Sequence, residues 1–418
     1  MAPSIKAVFI ALLAIALGLY KVYIYDAVEL FQGVGRILQP LEDFPEYQCR
    51  RMRHPLLESC EDVWFDPSGR KLYAACANPL ARVAWCPAAN SYDLQGRAAG
   101  GGGIDHITVL DVDQPGADGL YGVRALKFHD SESNIQELDM HGFDARVIDK
   151  GRRLRIWLIN HRPPLNASTG EPLLDATKVG ANSTVDVYDL ELPHGTQLAH
   201  VKTIVSPTII SPNNLVVIDD DEDRGDFLLT NDHNTKVSPF RYNEISGNIA
   251  YCRTDTGNCH FVATENFSSP NGITRDPSSG LIYVAQSARG TVTVHRLVND
   301  EQLVQIDEIS LSMAIDNLSI DTDGNIFAAT IPDLQQFLRA FHDPYGTNSP
   351  STVMMIRKRS NGKQASLTKE EHEVIKVVED KEARVLPTTT SAVYDPVSGQ
   401  LFLGALSSPF MVVCVKQK

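Results

Sequence analysis

The sequence predicts an all-β protein, a six-bladed β-propeller preceded by an N-terminal hydrophobic helix. Three observations carry this reading. A strand–turn–strand unit recurs along the chain, most of its turns run from an Asp to a Gly, and a polar pair leads each copy. One such hairpin cannot bury its own faces, so copies stack on one another. Radial stacking leaves only short, protected edges, which is the logic of a propeller.

The copies follow in order. Glu61-Asp62 leads into Val63 to Gly69 and the strand Lys71–Ala75, and His141-Gly142 into Phe143 to Gly151 and Arg155–Ile159. Asn213-Asn214 leads to Phe227–Leu229, and Asn271-Gly272, through Asp276-Pro-Ser-Ser-Gly280, to Leu281–Ala285. Asp316-Asn317, through Asp321-Thr-Asp-Gly324, leads to Ile326–Thr330, and Thr390-Ser391, through Asp395-Pro-Val-Ser-Gly399, to Gln400–Gly404. In four copies the pair begins five residues before the turn Asp: 61 to 66, 271 to 276, 316 to 321 and 390 to 395. Equivalent copies place their strand starts around one end of a central channel. Glu61, His141, Asn213, Asn271, Asp316 and Asn317 are then expected to converge there.

The chain has 418 residues and a net charge of −14. Roughly sixty residues per blade exceeds what four strands need, so long inter-blade loops are expected. The acidity argues against nucleic-acid partners, since phosphate binding is driven by Lys and Arg. It suits a protein that holds divalent cations, though acidity also serves solubility. Residues 1–25 read as a secretory signal or an uncleaved signal anchor. The apolar run Ala7–Tyr20 is short for a full span. The body is expected in the secretory lumen or outside, attached to a membrane through that segment or secreted. Residues 26–48 read as a neck and 49–418 as the propeller.

Seven cysteines fit an oxidising compartment. Cys252 and Cys259 flank a turn-rich segment and could close a hairpin; Cys76 and Cys86 are also near each other. A bond from Cys49 to Cys414 would latch the ring by tying first strand to last, leaving Cys60 as a buried thiol. Asn-x-Ser/Thr acceptors stand at Asn166, Asn182 and Asn266 in expected loops, whereas Asn317 belongs to the inward set and is expected to stay bare. Residues 87–103, ending in a glycine run, read as a flexible loop. Ile107, Ser183 and Gly290 each open an alternating outer strand. Leu334, Phe337, Leu338 and Phe341 have helical spacing, at the channel mouth or in the core. Residues 366–380 read as solvated.

Carboxylates with Asn carbonyl oxygens and no Cys make a hard oxygen set that suits Ca²⁺ over zinc. Glu61, Asn213, Asn271, Asp316 and Asn317 would supply two negative charges and three neutral oxygens. The Asp-rich turns lack the spacing of an EF-hand loop and are hairpin turns. No Gly-x-Ser-x-Gly elbow and no His-Glu-x-x-His occurs. A hydrolase here would therefore use the metal as Lewis acid and a histidine as base. A lone histidine is more often structural than catalytic. The repeat position argues for His141, the neighbouring strand end for His161, and less argues for His233.

Taken together, the polar pairs and their settings resemble the calcium-dependent paraoxonase/arylesterase family, six-bladed propellers with lactonase and ester hydrolase activity. The similar stretches are Cys60-Glu61-Asp62, Met140-His141-Gly142, Leu158-Ile-Asn160-His161, Ser183-Thr-Val-Asp186, Pro212-Asn213-Asn214, Thr230-Asn-Asp232-His233, Asn271-Gly-Ile273 and Ile315-Asp316-Asn317. They run in order between Cys49 and Cys414. The resemblance implies that Glu61, Asn213, Asn271, Asp316 and Asn317 ligate a catalytic calcium. It implies that His141 and His161 are a pair activating water, and that Asp62, the Phe143 carbonyl and Asn214 hold a second, structural calcium. It also implies the ring-closing disulfide Cys49–Cys414. The sequence departs from the pattern at Asn214, where the family has Asp, and at Ser269, where an aromatic is expected. The expected activity is calcium-dependent hydrolysis of small aryl esters or lactones. The rival readings are a strictosidine-synthase-like propeller enzyme, which needs no metal, and a non-catalytic propeller whose calcium serves only stability.

Overall fold

The computed structural model describes residues 29–417 except 31, 130–136, 167, 172, 174, 219–223, 238–245, 263–266, 300–301 and 359–371, together with six scattered helical positions between residues 6 and 18. Six sheets of four or five strands, antiparallel except where Lys127–His129 joins the outer edge of the second blade in parallel, surround a channel. Their innermost strands are β1 (Asp62–Asp66), β2 (Met140–Ile148), β3 (Pro212–Val217), β4 (Pro270–Arg275), β5 (Ala314–Ile320) and β6 (Thr389–Asp395). All six begin at or just before the polar pairs marked in the sequence. Each inner strand touches the next and β6 touches β1, which closes the ring.

The core is six layers, one between each pair of blades. Tyr73 and Val109 of the first blade pack on Leu154 and Tyr188 of the second. Trp157 and Val187 meet Leu215 and Phe227 at the next gap, and Phe402 and Met411 return to Leu72 at the last. Strands sandwiched on both faces lose the alternation of a half-exposed sheet, so Phe227–Asn231 is buried throughout. The turn aspartates act locally. Asp66, Asp276, Asp321 and Asp395 each accept, through Oδ1, the N–H two residues on, at 2.8–3.1 Å. These are Asx turns, as a hairpin reading requires.

The ring is latched by the chain's own beginning. Tyr47–Met52 is the outer strand of the sixth blade, paired with Met411–Lys416, and Cys49 opposite Cys414 forms a disulfide. Cys252–Cys259 is also bonded. Two cysteine expectations are corrected. Cys60 is not a thiol but pairs with Cys76, and the buried Cys86 is the cysteine left outside the three disulfides. The hairpin explains it: Asp62 lies opposite Ala75, so Cys60 and Cys76 flank its open end with Cα atoms 3.9 Å apart.

Three further differences concern elements. The expected loop 87–103 contains a helix, and with α1 (Pro79–Ala84) and α2 (Leu94–Ala99) the segment forms a folded insert of the first blade. Asn78 and Asp93 cap the two helix starts, and the glycine run allows close approach: a Cβ at Gly100 would stand 2.5 Å from the Ala81 nitrogen. The helical spacing at 334–341 is realised as α3 (Leu334–His342), capped by Asp333. Of the stretch read as solvated, His372–Asp380 is a strand of the fifth blade. Asn182 is exposed, Asn166 sits in a turn, Asn317 is buried, and Asn266 lies outside the described residues. So does most of the N-terminal hydrophobic segment. Among the described residues no helix is long and apolar enough to cross a membrane.

Candidate functional site

In a regular strand neighbouring side chains face opposite ways, so a polar pair could not both reach the axis. The strands solve this with bulges. The register slips between Pro212 and Leu215, between Pro270 and Ile273, and between Ile315 and Leu318, bracketing Asn213-Asn214, Asn271-Gly272 and Asp316-Asn317. A bulge re-aims a side chain at the cost of one ladder position. Glycine completes the convergence. A Cβ at Gly272 would stand 2.4 Å from the Leu318 nitrogen, and one at Gly142 would stand 2.5 Å from the Asn213 carbonyl oxygen. Neighbouring inner strands therefore pack backbone to backbone at the axis.

Glu61, His141, Asn213, Asn271 and Asp316 line one cavity of about 360 Å³ at this end of the channel. Its wall is apolar, with Ile331, Leu334 and Phe337 from β5's hairpin partner and α3. Glu61 Oε2 accepts from Thr390 Oγ1 at 2.7 Å, and Oε1 accepts from Asn317 Nδ2 at 3.2 Å. Asn271 hydrogen-bonds Asp316. Burial and the nearby Asp316 charge hold the Glu61 carboxyl well above its ordinary range, and burial pushes Asp316 up to about 8. Two buried carboxylates and two buried amide oxygens without a hydrogen-bond partner among the described residues, Asn213 Oδ1 and Asn271 Oδ1, face this space. Buried acceptors are rarely left unmatched. Such a set fits a hard cation of the calcium type. Among the described residues no three His, Cys, Asp or Glu side chains gather as a metal-binding group. The fit therefore rests on two carboxylates with amides.

The histidines lie beside this set. His141 Nε2 is 3.9 Å from Glu61 Oε1, and the His141 and His161 rings are 5.2 Å apart. Burial, aided by His161 and the Arg82 guanidinium, lowers the His141 pKa strongly. Burial pushes His161 down to about 3. Both imidazoles are neutral at neutral pH. His161 Nδ1 is held by Ser183 Oγ at 2.9 Å, while His141 Nδ1 and His161 Nε2 have no hydrogen-bond partner among the described residues. His233 also reaches the cavity, its Nδ1 on Asp232 at 2.7 Å.

Asp62, Phe143 and Asn214 come together on the other side of this ring. They line a second cavity of about 380 Å³ at the turn end of the channel. Asp62 Oδ2 accepts the Phe143 N–H at 3.0 Å, and Asn214 Nδ2 donates to Asn317 Oδ1 at 2.6 Å. Arg82 escaped the sequence reading. This buried guanidinium of α1 bonds Asp105 and the Met140 carbonyl, one residue before His141. No local motif marks it, and its helix lies in the insert. Thr390 was marked by the repeat, and its bond to Glu61 gives that position a purpose.

The family model described as Arylesterase matches residues 171–406. Serum paraoxonase/arylesterase 2 of Homo sapiens is 26% identical over 307 residues, 70% of this chain and 75% of that one. The same-named protein of Bos taurus is 26% identical over 236 residues, covering 56% of this chain and 59% of that one. Serum paraoxonase/lactonase 3 of Oryctolagus cuniculus is 25% identical over 243 residues, 54% of this chain and 60% of that one. The match thus spans under two thirds of the bovine and rabbit proteins. A solved putative gluconolactonase is 11% identical with a TM-score of 0.44, covering 93% of this chain and 97% of that one. With more than half of its length matched by the family model, the chain belongs to the arylesterase family of paraoxonases.

Proposed function

We propose that this protein is a calcium-dependent hydrolase of aryl esters or lactones, with Glu61, Asn213, Asn271 and Asp316 holding the ion and a histidine pair serving the water. The observation that carries the reading is the meeting of two buried carboxylates with two partnerless amide oxygens on the floor of an apolar-walled cavity. The family and the names of its relatives supply the reaction class. When bound, calcium would supply a Lewis acid for the carbonyl oxygen and its developing charge. The chain's own residues do the rest. His141, kept neutral by burial, is free to accept a proton from water. Glu61 stands 3.9 Å away to balance the imidazolium that results. Ser183 fixes the His161 ring, against which His141 packs. Leu334 and Phe337 offer an apolar wall to an acyl or aryl group and exclude bulk water.

The disulfides fit an oxidising compartment. We place the catalytic body in the secretory lumen or outside, membrane-attached or secreted, with Asn166 and Asn182 as glycan acceptors. The test is hydrolysis of phenyl acetate and of simple lactones before and after calcium chelation. Turnover is expected to vanish with chelator and return with added Ca²⁺. Turnover indifferent to the chelator would sink the mechanism.

A further inference from the structure

Asn214 and Asn317 are two amides whose orientations fix one another. Asn214 Oδ1 accepts the Leu215 N–H at 2.6 Å, so its Nδ2 must face the other way, because a reversed amide would oppose two donors. That Nδ2 donates to Asn317 Oδ1 at 2.6 Å. Asn317 is thereby forced to turn its own Nδ2 on Glu61, where it meets Oε1 and the backbone oxygen, each at 3.2 Å. The Asn214 amide also serves as a hydrogen-bond partner of the Asp62 carboxyl. The remaining Asp62 bonds come from Val63 N–H at 2.8 Å and Phe143 N–H at 3.0 Å. Asp144 shows what an acid does within an inner strand: Oδ1 takes the Ala145 N–H and Oδ2 the Val217 N–H, both at 2.8 Å. An acid accepts on both sides, whereas the amide at 214 accepts on one and donates on the other.

We infer that the Asn214 amide takes the place of a cation between Asp62 and Asn317. This chain then binds one divalent cation, on Glu61, Asn213, Asn271 and Asp316, and Asn317 is a hydrogen-bond donor to Glu61 rather than a ligand. The inference rests on the cation reading of the main cavity. Its physical content is a directed chain, from Leu215 N–H through Asn214 and Asn317 to Glu61, in which every amide end is assigned. Two N–H groups present partial positive charge to Asp62 and Asn317 without the desolvation of a second ion. An acid at 214 would invert the chain. It would accept from Asn317 Nδ2, turn Asn317 Oδ1 towards Glu61, and add the charge a second ion needs.

The experiment is calorimetric titration of the metal-stripped full chain with Ca²⁺ alone, with circular dichroism to establish folding. The unsubstituted protein is expected to bind one ion. Asn317→Ala should leave its affinity unchanged or raise it, and Asn214→Asp should take up a second ion. Two ions in the unsubstituted protein overturn the inference. So does an affinity loss beyond about threefold in Asn317→Ala, or a single ion in Asn214→Asp. Should Asn317→Ala fail to fold, the two stoichiometries decide. No ion bound by any variant is a different result: it removes the cation reading itself.

Discussion

Asp316 and Asn271 sit at the floor of the cavity, joined by a hydrogen bond, with the Asn271 oxygen left unmatched. If they position the group that receives charge on the substrate oxygen, truncation should damage the reaction far more than the fold. Asp316→Ala and Asn271→Ala are each expected to lower kcat/KM by about 10²–10³-fold or more. Circular dichroism and the unfolding midpoint should stay near those of the unsubstituted protein. His141 is a separate question, since Glu61 could itself take the proton. His141→Gln is expected to cost about 10²–10⁴-fold in kcat, and a variant with full activity would move the role to Glu61. Most of this site was legible in the sequence because the repeat marks one position per blade. Asn317 was legible as a location only. A residue letter does not say which end of an amide faces the axis; that depends on Asn214, a hundred residues away in sequence, and on the Leu215 N–H.

At the scale of the hairpin, the strand–turn–strand signal survived because each part has its own physical cause. The apolar runs fill a layer on both faces, and the turn Asp closes the loop through its own carboxylate. The insert between the second and third strands of the first blade was not legible. Its glycine run looks like loop composition, yet serves close packing of α2 on α1. Asp276 allows the turn chemistry to be tested. Burial raises its pKa, but the hydroxyls of Ser279 and Ser278 and the Lys358 ammonium outweigh that and hold it well below the usual range. Lys358 Nζ lies 2.9 Å from Asp276 Oδ2. A carboxyl depressed in the folded state stabilises above its unfolded pKa, and that stability is lost as pH falls through the folded value. Asp276→Asn should therefore destabilise by about 1.5–3 kcal/mol at neutral pH. The gap should shrink steadily in urea unfolding curves taken below about pH 4.

At the scale of the whole ring, stability depends on closure, because each blade is buried only by its neighbours. Opening one gap exposes two blade faces, and the sixth blade is the natural place for it, being stitched from both ends of the chain. The three disulfides constrain the unfolded chain to very different degrees. Cys49 and Cys414 are separated by 365 residues, Cys60 and Cys76 by 16, and Cys252 and Cys259 by 7. In the chain-entropy account the cost of losing a bridge grows with the logarithm of the loop it closes. Replacing both cysteines of a pair by serine should therefore rank in that order, from about 6 kcal/mol for Cys49–Cys414 to about 2–2.5 kcal/mol for Cys252–Cys259. Equilibrium urea unfolding of the three double variants, each without reductant, reads the ranking directly. The long latch should also show a second signature. Without it the Tyr47–Met52 strand is held to Met411–Lys416 by ladder bonds and side chains alone, so amide exchange in those two strands should quicken ahead of the other five blades. Uniform exchange across all six blades in that variant would show that layer packing, and not the covalent tie, holds the ring shut.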